Sequence, residues 1–247
     1  MKKYYTRVCN FSYGKLSVKL VNKKKNLPLN GNKEISFSQI EIITRDSKKI
    51  INFKDIKKLS KTLRKQVKKN IKIIIRKKNN FSNLNFKKIP NIMGVLNLTP
   101  DSFSDGGKFN KKKVGAKHAL DLFNFGADII DVGGESTRPG SKPVSEKEEW
   151  RRIEKFIRIM AKKIPLSLDT RKAGIMNKGI KLGIKLINDV SGLSYDSKTI
   201  DMLKKNRSPF VIQHSQGTPE NMQNNPKYDN ELLDIYDFFE AKIKFLR

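Results

Sequence analysis

The run NIMGVLNLTPDSFSDGG, Asn91 to Gly107, decides how the chain is read. Ile92, Met93, Val95 and Leu96 form a short, nearly continuous apolar segment, the pattern of a strand buried on both faces in a parallel sheet covered by helices. At Asn97 that segment gives out. From Thr99 to Gly107 the chain turns to Pro, Ser, Asp and Gly around a single large apolar residue, Phe103. Such a stretch suits a loop and not a core. In α/β sheets and barrels ligands sit at the carboxyl ends of the strands, so this is a candidate site loop.

The same grammar repeats downstream. Lys112 to Phe125 reads as a helix with Ala116, Ala119, Leu120 and Phe123 on one side, and Gly126 closes it as a C-cap. His118 within it reads as a flank residue. Asp128 to Val132, DIIDV, is a second strand followed by the loop GGESTRPGS. Ser145 and Glu148 form a capping box for a helix that buries Trp150, Ile153, Phe156, Ile157 and Met160. A third strand, Leu166 to Leu168, stops at Asp169; a fourth, Lys185 to Ile187, stops at Asn188; a fifth, Phe210 to Ile212, stops at Gln213 and His214. Glu231 to Arg247 is a further helix. Five apolar runs that each end on a polar, ligand-capable side chain predict a parallel βα barrel with its site at the strand ends.

Residues 1–89 read as a separate, basic α/β module, a cap or docking domain. Ile35 to Thr44 is a predicted strand, Asp55 to Lys69 a helix with Ile56, Leu59, Leu63 and Val67 on one face, and Ile71 to Ile75 a second strand; Asn79 to Pro90 is the linker. The chain carries +29 overall, and +22 of it lies before Asn91. Such charge admits a nucleic acid, an acidic surface or an anionic substrate as partner. Lys, Asn and Ile are abundant throughout, however, and no helix-turn-helix, zinc-finger or aromatic RNA-binding signature accompanies the charge, which argues against nucleic acid. The single cysteine, Cys9, excludes an intrachain disulfide and suits a reducing compartment. The N-terminus lacks the apolar core of a signal peptide, and no run approaches the ~18 apolar residues of a membrane span. The expected location is the cytoplasm.

Asn97 to Gly107, followed by GADIIDVGGESTRPGS at Gly126 to Ser141, resembles the paired signatures of dihydropteroate synthase, one of the pterin-binding TIM-barrel families. The resemblance runs from about Ile92 to about Asp229. It implies a transferase of folate biosynthesis that joins 6-hydroxymethyl-7,8-dihydropterin diphosphate to p-aminobenzoate with loss of diphosphate and with Mg2+ as cofactor. By that resemblance Asn97 is the magnesium contact, Asp169 and Asn188 hold the pterin, Thr137 contacts the diphosphate-bearing substrate and Asp131 is a supporting polar group. Arg138, Asp101, Phe103 and Pro139 are loop residues placed against the substrates. Ser215, in QHSQG, stands where the family usually has a pterin-lining Met. The full-length family members often form homodimers.

A complete (β/α)8 barrel takes ~250 residues, while Pro90 to Arg247 supplies 158, and the family's later DPG, SRK and RxHD segments do not occur. The expectation is therefore a partial barrel of about five βα units, an incomplete chain whose own activity is in question. Two other readings stay open: a naturally short, non-catalytic pterin-binding homologue, and a nucleic-acid-binding protein acting through residues 1–89.

Overall fold

A computed structural model describes residues 3–81, 84–85, 90–99, 114–136, 141–217 and 225–247. The chain divides into two compact units, Met1–Asn79 with Asn230–Leu233, and Asn80–Asp229 with Asp234–Arg247.

The first unit is built on an antiparallel sheet. Strands β1 (Tyr5–Tyr13) and β2 (Leu27–Leu29) flank β3 (Asn32–Ile43), and β4 (Lys48–Asn52) also pairs with β3. Helix α1 (Gly14–Asn22) follows β1 directly. A 3-10 turn over Phe53–Lys58 precedes α2 (Lys61–Ile75). The core joins Phe37, Ile40 and Ile42 of β3 to Ile56, Val67 and Ile71.

Two expectations are corrected here. The helix read over Asp55–Lys69 is two elements, because Leu59 is extended (φ −72°, ψ 155°) between the 3-10 turn and α2. The strand read over Ile71–Ile75 is the last turn of α2. Its isoleucines favour extended structure taken alone, but in the helix Ile71, Ile74 and Ile75 fall four, seven and eight residues after Val67, on the face packed against the core. Tertiary burial outweighs local propensity, and Ile73 is the one left exposed among the four.

The second unit is a five-stranded parallel sheet in the order β5 (Met93–Asn97), β6 (Ile129–Gly133), β7 (Leu166–Asp169), β8 (Leu186–Asp189), β9 (Phe210–Ile212). Strands in sequence order, each joined to the next through a helix, make a partial barrel of the kind the strand pattern predicts. The connecting helices are α3 (Val114–Asn124), α4 (Glu146–Met160), α5 (Ala173–Lys181) and α6 (Thr199–Asn206), with α7 (Glu231–Phe245) after β9. Gly126 ends the α3 turn at φ +112°, a conformation side chains resist.

Helix α4 shows why these elements form. Ser145 caps it, its hydroxyl accepting the Glu148 N–H at 3.2 Å. Glu146, Glu148 and Glu149 fill the first turn, where the helix dipole favours carboxylates. Ile153, Ile157 and Met160, at helical spacing, are fully buried against β6 and β7 residues such as Val132 and Leu168. Each such side chain contributes about 1.5–3 kcal/mol of apolar burial.

The reading of β5 as buried on both faces is also corrected. Gly94 and Leu96 are buried, but Met93 and Val95 are 37% and 59% exposed. Among the described residues β5 pairs only with β6, at the edge of the sheet, which leaves the face of Met93 and Val95 partly open.

Candidate functional site

The sheet register assembles the site. Asn97 pairs with Gly133, Gly133 with Asp169, Asp169 with Asn188, and Asn188 with Val211. Paired residues in parallel strands point to the same face, so Asn97, Asp169 and Asn188 form one polar row across four strands at their carboxyl ends. Asp131, two residues before Gly133 on β6, lies one step below on the same face.

Gly133 makes that row possible. A Cβ at this position would stand 3.0 Å from Asn97 Oδ1 and 3.5 Å from Asp169 Oδ2. With hydrogen there instead, the amide and the carboxyl face the same small space over the glycine.

Hydrogen bonds fix the other half. Gln213 Nε2 donates to Asn188 Oδ1 at 3.0 Å, and Asn188 Nδ2 donates to Asp131 Oδ2 at 2.8 Å, past the intervening β7. Both ends of the Asn188 amide are thereby assigned. Asp131 Oδ1 and Asp169 Oδ1 are buried and have no hydrogen-bond partner among the described residues. Buried acceptors without partners carry a desolvation cost of about 1–3 kcal/mol each, and such unmet capacity is a mark of a binding site.

The electrostatics follow from the crowding of acids. Burial, and then the charges of Asp131, Glu149, Asp189 and Glu135, push Asp169 up to about 8, so its carboxyl is largely protonated at neutral pH. Burial also raises Asp131, against the Asn188 bond that favours its charged form. Ser167, its sheet neighbour, pulls in the same direction as Asn188, but its hydroxyl makes no hydrogen bond of good geometry and acts only as a nearby dipole. Asp189 is raised by burial against bonds from Ser191 and the Leu193 N–H, and it closes the turn after β8. Asp169 is not a helix cap: Lys172 holds that position on α5, and the Ala173 N–H bonds Asp196.

Beside this row lies an ion cluster that the motifs alone do not announce. Lys172 Nζ bridges Glu135 Oε1 (3.0 Å) and Glu149 Oε2 (2.5 Å), and Arg171 Nε reaches Glu135 Oε2 at 3.1 Å. Thr170 donates its hydroxyl to Glu149 Oε1 at 2.6 Å, and the Val144 N–H donates to Glu135 Oε1 at 2.8 Å. The Arg171 guanidinium also lies 4.1 Å from the Tyr195 ring centroid. Burial pushes Glu135 up, but the Val144 N–H, Arg171 and Lys172 outweigh it and hold the group below its ordinary value. Glu149, fully buried on α4, is raised by burial despite Lys172 and Thr170.

Of the residues singled out from sequence, Asn97, Asp131, Asp169 and Asn188 come together. Ser215 is exposed, two residues beyond Gln213, and makes no hydrogen bond to the row. Thr137, Arg138, Pro139, Asp101 and Phe103 lie outside the described residues. Gln213 belongs to the row although only its position as a strand terminator marked it. His214 packs in an aromatic cluster, 4.6 Å from the Phe238 ring and 3.1 Å from Tyr228 Oη through Nε2.

Comparison with known proteins points the same way. Dihydropteroate synthase of Neisseria meningitidis serogroup C is 44% identical over 157 residues, 62% of this chain and 55% of the relative. The Escherichia coli K12 dihydropteroate synthase is 40% identical over 156 residues, again 62% and 55%. The Yersinia pestis dihydropteroate synthase, solved with a sulfonamide drug complex, superposes with TM-score 0.62 at 40% identity, covering 66% of this chain and 59% of that one. The Burkholderia cenocepacia enzyme complexed with 7,8-dihydropteroate gives 0.57 at 34% identity, with 66% and 55% covered. The chain spans about half the length of the curated relatives it matches. The model of the pterin binding enzyme family matches residues 93–247, the whole parallel sheet with its polar row, and the chain belongs to that family.

Proposed function

We propose that this chain contributes the pterin half of a dihydropteroate synthase site. In the reaction, the amine of p-aminobenzoate forms an N–C bond to the methylene carbon of 6-hydroxymethyl-7,8-dihydropterin diphosphate. The C–O bond to diphosphate breaks, the diphosphate leaves with the bonding pair, and the amine loses a proton. The observation that carries this reading is the row itself: Asp169 and Asn188 at adjacent strand ends with Asp131 one step below, and two buried carboxyl oxygens unmatched among the described residues.

A pterin presents an amide and amidine edge, rich in N–H donors with an acceptor among them. Unmatched carboxyl oxygens meet the donors, and an Asn clamped from both sides cannot rotate to present the wrong group. Pre-set orientation of this kind raises the share of bound geometries from which displacement proceeds. Thr137, Arg138, Asp101, Phe103, Pro139 and Ser215 remain assigned to the substrates by resemblance alone. Localisation in the cytoplasm and dimerisation belong to this same proposal.

Mg2+ fits the residues in one respect. It takes oxygen ligands and is usually held through one or two protein groups plus substrate phosphates. Asn97 Oδ1 is directed over Gly133 into the row and is such a group. Among the described residues no set of three or more His, Cys, Asp or Glu is placed to cage a metal; Asn97 would hold the ion together with the oxygens of the substrate's diphosphate. When bound there, it neutralises charge on the leaving group.

Calorimetry of the chain with dihydropterin diphosphate, with and without Mg2+, followed by a turnover assay with p-aminobenzoate, tests the reading. Binding that strengthens with Mg2+ and is lost in Asp169→Ala supports it. Absence of binding to the wild-type chain, or equal binding by Asp169→Ala, rejects it.

A further inference from the structure

We infer that Glu135 and Lys172 are positioning residues, which tie the segment after β6 to the turn after β7 and so set where Asp169 stands in the polar row. The inference deepens the pterin-site reading and rests on it for its functional half.

The observation is the direction in which two cations are spent. Arg171 and Lys172 follow Asp169 and Thr170 immediately, at the mouth of the sheet, where positive side chains would be expected to await an anionic substrate. Both are instead less than a tenth exposed and committed to carboxylates. Lys172 reaches Glu135 on one side and Glu149 of α4 on the other, and Thr170 bonds the second oxygen of Glu149. Glu135, two residues past Gly133, is held in turn by the Val144 N–H in addition to Arg171 and Lys172. Two negative and two positive groups thus close a neutral, buried frame on three elements.

What such a frame does is set by its stiffness. Removing one member leaves an uncompensated buried charge, which is far costlier than loss of an exposed pair. The backbone of 169–172 therefore cannot shift without breaking several charged bonds at once. The row needs that rigidity, because Asp169 Oδ2 and Asn97 Oδ1 share the space over Gly133, 3.5 and 3.0 Å from where a Cβ would stand, and a displacement of about 1 Å is enough to spoil a bound geometry. The side chains of the frame are spent on one another and not on a substrate, so their effect on a ligand is exerted through the backbone they hold, which at the turn after β7 carries Asp169.

The test uses the full chain and two readouts. Amide hydrogen exchange is compared for wild type, Glu135→Gln, Lys172→Met, Lys172→Arg and Thr170→Val. Glu135→Gln and Lys172→Met are expected to raise exchange at least tenfold both in 133–136 and in 169–173 and to leave α6 and α7 unchanged, while Lys172→Arg restores protection. Thr170→Val, which alters no charge and keeps the residue's volume, gives the same pattern at smaller size and covers the case that a charge variant does not fold. Calorimetry with dihydropterin diphosphate is expected to show at least tenfold weaker binding in Glu135→Gln and near wild-type binding in Lys172→Arg. Exchange that rises only around the substituted residue overturns the inference, as does unchanged pterin affinity when both segments loosen. If wild type binds no pterin but the two segments still loosen together, the site reading fails and the mechanical coupling stands.

Discussion

Asn97 and Asp169 confront each other across Gly133, a residue belonging to the strand between them, whose missing side chain leaves the Asn97 amide oxygen and the Asp169 carboxyl a common space. Gly133 cannot be replaced by a larger residue without filling that space. Gly133→Ala places a methyl 3.0 Å from Asn97 Oδ1. It is expected to weaken dihydropterin diphosphate binding by at least tenfold while costing about 1–3 kcal/mol of stability through overpacking. Calorimetry and urea unfolding on the same preparation read the two effects.

Asp169 makes folding pH-dependent in a direction opposite to a salt-bridged acid. Its carboxyl titrates at about 8 in the folded chain and at an ordinary 3.8 when unfolded. Between those values the unfolded chain has released a proton that the folded chain keeps, so the group's contribution falls as pH rises and is flat below about pH 4. Asp169→Asn is therefore expected to be more stable than wild type at pH 8, by about 1–3 kcal/mol after allowance for partial solvent access at the strand end. The gain should vanish at pH 3.5. Denaturant melts at both pH values check it.

Asp131 is the charge that acts most strongly on Asp169 after burial itself. Asp131→Asn keeps an acceptor for the Asn188 amide and deletes one negative charge, so the Asp169 carboxyl should titrate below 8, toward its ordinary range. Carbon-13 NMR of the labelled carboxyl follows the midpoint. A midpoint that stays put would show that the Asp131 charge does not contribute to the value.

Ser145→Ala removes the hydroxyl that accepts the Glu148 N–H at the start of α4. The expected loss is about 1 kcal/mol, seen as a lower urea midpoint with unchanged slope, with no effect on pterin binding beyond that.

The second unit was legible because its signals are local. An apolar run that stops at Asp169 or Asn188 states in four residues both the strand and the polar group at its end, and the sheet then aligns such groups without further instruction. The ion frame was not legible for the opposite reason. Glu149 sits in the acidic run EKEEW, where a carboxylate at a helix start needs no buried partner to explain it, and Arg171 and Lys172 look like two more surface cations in a chain with 53 of them. Only the fold shows that Lys172 meets Glu149 and Arg171 meets Glu135, across separations of 23 and 36 residues. In the first unit the Ile71–Ile75 run misled because propensity and burial disagree, and burial won.

That disagreement has an afterlife once the chain unfolds. Released from α2, the segment from Ile71 to Ile75 regains its leaning toward extended pairing, and it becomes a stretch able to seed aggregates. Lys72 within it and Arg76, Lys77 and Lys78 behind it act as electrostatic gatekeepers, setting like charge against like when two such segments approach. Their repulsion is screened by salt, so heated chains should remain dispersed in dilute buffer and clump in concentrated brine.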